Sequence, residues 1–122
     1  FSWKTGDFGP KVLETARANG MAVLALKALA LRQWTRDEFK AFFRPWPKCW
    51  YKPLEEIEDI RRALQFTLGQ SVDAAIPPGH WDLFKLCLDV VTSDEFAAAT
   101  SDAAVPALDG LLEESASLFP RP

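Results

Sequence analysis

The chain has little of several residue types that would mark a site outright. Its 122 residues contain a single histidine and two cysteines, Cys49 and Cys87, with no CxxC spacing. That leaves a zinc or iron–sulfur centre almost without ligands. Two cysteines so far apart read as reduced thiols of a reducing compartment. No apolar stretch approaches the roughly 18 residues of a membrane-spanning helix. The longest, Met21 to Leu26, is broken by Lys27 and continues only to Leu31. Basic residues never run longer than the Arg61-Arg62 pair, and the net charge is -3. The electrostatic footprint of a nucleic-acid binder is therefore missing. There is no internal repeat and no low-complexity segment.

What is present is ordinary for a soluble globular protein, 48% hydrophobic and 25% charged, and long enough for one modest core. The polar, Gly-containing stretch 1–9 reads as a loop. Pro10 suits a first helical position, and Val12, Leu13 and Ala16 share a face until Asn19-Gly20 stops the helix. Residues 21–26 are apolar at every position, as in a strand covered on both faces. Residues 30–53 read as an irregular loop rich in aromatics and proline. Within it, Thr35-Arg-Asp-Glu38 has the form of a capping box for a short helix.

Residues 54–68 predict a helix with Ile57, Ile60, Leu64 and Leu68 on one stripe. Glu55, Glu56 and Glu58 complement its dipole and read as a solvated face, not a catalytic carboxylate pair. Val72–Ile76 is a short strand stopped by Pro77-Pro-Gly79. Residues 81–91 form an amphipathic helix with Leu83, Leu86, Cys87, Val90 and Val91 inward. Thr92-Ser-Asp-Glu95 resembles a second capping box, and 106–117 a last helix with Leu108, Leu111 and Leu112 inward.

A strand, a crossover and a second strand imply a parallel pair connected right-handedly. Two such strands leave edges and faces unsatisfied, at roughly 1–3 kcal/mol for each buried backbone group without a partner. The expectation is a section of a larger α/β domain, or a chain whose missing strands a partner supplies. In α/β barrels the working face lies at the carboxyl ends of the strands, here Lys27-Ala-Leu29 and Pro77-Pro-Gly79. A helix starting after the second of these would aim free N–H groups at an anion.

Gly20-Met-Ala-Val-Leu-Ala-Leu-Lys-Ala-Leu29, Trp46-Pro-Lys-Cys-Trp-Tyr-Lys-Pro53, Arg62-Ala-Leu-Gln-Phe-Thr-Leu68 and Ala75-Ile-Pro-Pro-Gly79, in this order, resemble the C-terminal part of an aldo/keto reductase. The likeness covers about residues 9–91. It implies strands seven and eight of a TIM (β/α)8 barrel, with flanking helices and a helical tail. The chain would then be a single partial domain: loop 1–9, barrel section 10–91, tail 92–122.

The resemblance further implies an oxidoreductase that passes a hydride between NADP or NAD and a small carbonyl compound. Leu26, Lys27, Ala28 and Leu29 match the strand-seven exit beside the pyrophosphate. Pro77, Pro78, Gly79 and His80 match the strand-eight exit near the adenosine phosphate, and Lys85 and Asp89 match positions around the adenine. Trp46, Trp50 and Tyr51 would shape the substrate pocket. The family's catalytic Tyr, Asp, Lys and His come from earlier strands that nothing here matches, so no residue of this chain is given a catalytic role. Ala28, Pro78-Gly79 and Leu88 stand where Pro, Lys-Ser and Glu are frequent, which leaves NAD against NADP open.

Each assignment has a plainer structural counterpart. Lys27 could simply reach water from a strand end, His80 could sit exposed at a helix start, and the aromatics could cover a barrel edge. The other class of function compatible with the sequence is a non-catalytic interaction module, docking through its sheet edge and aromatic loop. The compartment expected is the cytoplasm, with any N-terminal signal lying upstream of Phe1.

Overall fold

The computed structural model describes residues 8–40 and 45–97. The expected helix 106–117, most of the 92–122 tail and most of the 1–9 loop lie outside the described residues. The first helix, α1 (Phe8–Ala18), begins two residues before Pro10. It ends as the Asn-Gly pair predicts. Gly20 takes a φ of 64°, the Gly20 N–H donates to Arg17 O at 3.1 Å, and the Met21 N–H to Ala16 O at 2.9 Å. This paired closure needs a residue that tolerates the left-handed region. It also takes Met21 out of the following strand. Ala16 is buried and Leu13 half-buried, but Val12 faces water.

Strand β1 is therefore Leu24–Leu26, shorter than the 21–26 run suggested. It pairs in parallel with a strand Ala74–Ile76, in register Leu24↔Ala74, Ala25↔Ala75 and Leu26↔Ile76. At the entry to this pair Asp73 extends the ladder, its N–H donating to Val23 O and its carboxylate accepting from the Val23 N–H at 2.7 Å. Arg17 donates to the Ser71 carbonyl and ties α1 to the same entry.

The aromatic stretch corrects the sequence reading. Where an irregular loop was expected over 30–53, strand β2 (Ala30–Gln33), helix α2 (Arg36–Lys40) and strand β3 (Tyr51–Pro53) form an antiparallel hairpin. Pairs Ala30↔Pro53, Arg32↔Lys52 and Gln33↔Tyr51 leave Leu31 as a bulge. Pro53 is tolerated because it ends its strand, where no ladder N–H is required of it. The capping box forms: Glu38 N–H donates to Thr35 Oγ1 at 3.2 Å, and Thr35 N–H donates to Glu38 Oε2 at 2.9 Å.

Glu38 also fastens the hairpin. Arg32 donates both guanidinium nitrogens to it, at 2.7 and 2.8 Å, and Lys52 Nζ a third bond at 3.1 Å. The Arg32 bond, followed by the Thr35 N–H, holds the Glu38 carboxyl well below the usual carboxylate range. A depressed carboxyl stabilises fully above its unfolded value, near 4.5, and that contribution shrinks progressively as pH falls from there through the depressed folded value. The expected result for Glu38→Gln is a lower thermal midpoint at about pH 7 that converges on wild type as the medium is acidified below about pH 4. Salt should shrink the difference, since the group is partly solvated. Thermal melts across a pH series check this.

Helix α3 (Ile57–Gly69) is the crossover helix, and Ala74–Ile76, here β4, follows it. It starts at Ile57 rather than at Leu54, because Leu54 is spent on the hairpin exit, where it is buried and donates its N–H to Leu29 O at 2.8 Å. The expected stripe is covered only in its middle: Ile60 and Leu64 are buried, whereas Ile57 and Leu68 are exposed. Helix α4 (Trp81–Val91) has the bounds the sequence predicts, with Leu83, Cys87 and Val90 buried. In the short α5 (Asp94–Ala97) the second capping box is absent. Thr92 Oγ1 bonds back to Leu88 O, and Glu95 turns to Arg61 Nη2 at 2.7 Å. A core among the described residues joins the ends of the hairpin to α3 and α4 through Leu29, Leu54, Ile60, Ala63, Leu64, Cys87 and Val90.

The chain is thus mixed α/β, with one two-stranded parallel sheet and one two-stranded hairpin among the described residues. Residues paired across a sheet share a face. Ala25 and Ala75 are half-buried on one side of the β1–β4 pair, and α3 packs on β4. The opposite face carries Leu24, Leu26 and Ile76, exposed at 57%, 66% and 39%. Neither outer edge of the pair is extended by a further strand among the described residues.

Ser71, just before β4, holds a φ of 59° without being glycine. The left-handed region costs an L-residue roughly 1–2 kcal/mol, partly offset by the added chain entropy of glycine. Ser71→Gly should therefore stabilise by up to about 1 kcal/mol. Urea unfolding with an unchanged slope is the measurement.

Candidate functional site at the carboxyl ends of the parallel strands

The two strand exits place the sequence-predicted residues in different roles. At the β1 exit Lys27 adopts a φ of 64°, and the Ala30 N–H closes a turn on its carbonyl at 3.0 Å. Its ammonium lies 5.4 Å from the centre of the Trp50 ring, a cation–π contact. Leu26 lies on the open sheet face. Ala28 packs against the core and Leu29, 1% exposed, is part of it. Of the four residues aligned with a pyrophosphate site, Lys27 is the one whose charged end lies at the strand mouth.

At the β4 exit Pro78 is buried, Pro77 half-buried and Gly79 open, with nothing within 4 Å of where a Cβ would stand. His80 occupies the N-cap position of α4 without a side-chain capping bond. Its Nδ1 is buried, lacks a hydrogen-bond partner and stands 3.7 Å from Asp82 Oδ2. The imidazole meets the Trp46 ring edge-on, centroids 5.0 Å apart. Trp46 in turn donates its indole N–H to Glu55 Oε1 at 2.8 Å. Trp46 therefore ties the segment before β3 to the start of α4.

The segment 46–51 links the two exits. Cys49 N–H donates to Trp46 O at 3.0 Å, Trp34 Nε1 donates to Cys49 O at 2.8 Å, and Trp50 packs edge-on to Tyr51 at 5.4 Å. Trp46, Trp50 and Tyr51, read from sequence as pocket residues, thus lie along one stretch, but Tyr51 is buried. Burial pushes its phenol up to about 12, with smaller contributions from Cys49 and Cys87. It keeps its proton at neutral pH and suits packing better than proton transfer. Burial likewise raises the Cys49 thiol, and lifts Cys87 to about 11, so neither behaves as an activated nucleophile.

Lys85 and Asp89 bond to each other at 2.6 Å on the exposed side of α4, one turn apart. Among the described residues no group of three or more His, Cys, Asp or Glu side chains is arranged to hold a metal ion.

Two members of the cluster escaped the sequence reading. Glu55 is exposed, as a solvated face requires, but it lies before α3 and accepts the Trp46 indole N–H. Asp82 carried no motif; its position two residues after His80 in the first turn of a helix was the available signal. No helix among the described residues is long and apolar enough to cross a membrane. Comparison with protein-family models, curated proteins and solved structures gives no match for the chain.

Proposed function

We propose that this chain is the last quarter of an aldo/keto reductase-like barrel, contributing strands seven and eight and the cofactor side of an NADP- or NAD-linked carbonyl reductase. One observation carries the reading. The parallel β1–β4 pair is half-buried at Ala25 and Ala75, with α3 against β4, and exposes Leu24, Leu26 and Ile76 on the opposite face. In a closed parallel barrel the helices lie outside and the strands' other side chains fill the interior. The motif order noted in the sequence supplies the family, and Lys27, His80 and the start of α4 stand at the end where such barrels bind ligands. The proton-transfer group would come from strands this chain does not carry.

Two assays test the proposal. The chain alone, mixed with NADPH or NADH and a panel of aldehydes, is expected to give no turnover, because nothing in its sequence matches the segments that carry the family's catalytic Tyr, Asp, Lys and His. Mixed with a polypeptide supplying the first six strands of an aldo/keto reductase barrel, it is expected to restore cofactor-dependent carbonyl reduction. Turnover by the chain alone, or a mixture in which the parts do not associate, would overturn the reading. The open edges of β1 and β4 also favour a second reading, a non-catalytic module that takes up a strand from a partner protein. Association with the six-strand polypeptide without reduction would point there.

A further inference from the structure

We draw no further inference here: the strongest candidate, the half-buried His80 side chain at the start of α4 whose Nδ1 lacks a hydrogen-bond partner, belongs to the candidate site already described.

Discussion

Leu29→Ala is expected to destabilise the chain by about 2–5 kcal/mol, the range for emptying a leucine site in a packed core. Leu29 is 1% exposed and touches a cluster built from the hairpin exit, α3 and α4. Its carbonyl also accepts the Leu54 N–H. Small domains hold only about 5–15 kcal/mol in total, so the variant should lose a large share of the fold's stability. Urea denaturation followed by circular dichroism measures it. The result separates two roles for the β1 exit. If Leu29 served mainly to meet a cofactor, truncation would leave folding intact. A change below about 0.5 kcal/mol, the ordinary surface range, would contradict the core assignment.

The second large effect concerns the bare sheet face. Leu24→Thr combined with Leu26→Lys should change the stability of the isolated chain by no more than about 0.5 kcal/mol per site, since both side chains already face water. The same pair should abolish association with the six-strand polypeptide. Burying an unpaired ammonium costs several kcal/mol, which is more than a hundredfold in affinity at about 1.4 kcal/mol per tenfold. Sedimentation of the mixtures against wild type reads this directly. Unfolding of the isolated double variant would mean that these leucines are covered within the chain, contrary to the structure.

The helices were legible because their signals are local. Asn19-Gly20 closed α1 as glycine chemistry requires, and the apolar spacing over 81–91 set both ends of α4. The Thr35–Glu38 box was visible for the same reason. The hairpin was not, because seven aromatics and three prolines crowd 30–53 and one of the prolines, Pro53, lies within β3 itself. Its ladder depends on Arg32 and Lys52 meeting over Glu38, contacts 6 and 14 residues apart in the chain. Such pairings leave no periodic trace.

The shortening of β1 had a similar origin. Met21 looks like strand by hydropathy, but its N–H is claimed by the end of α1. At the site, Lys27 and His80 could be named from the strand exits alone. Their aromatic partners, Trp50 and Trp46, became definite only when the hairpin brought them into place.

The position of the indoles has a practical consequence for any optical study of this protein. Of its five tryptophans, Trp34, Trp46 and Trp50 belong to the hairpin and its connection, and Trp81 opens the helix beside them. Strands β1 and β4 contain only alanine, leucine and isoleucine. The intrinsic fluorescence of these four indoles therefore watches the aromatic clasp and, through Trp50 beside Lys27 and Trp46 beside His80, the two strand exits rather than the strands themselves. Loss of the β1–β4 hydrogen bonds themselves is read more directly by a backbone probe such as amide exchange.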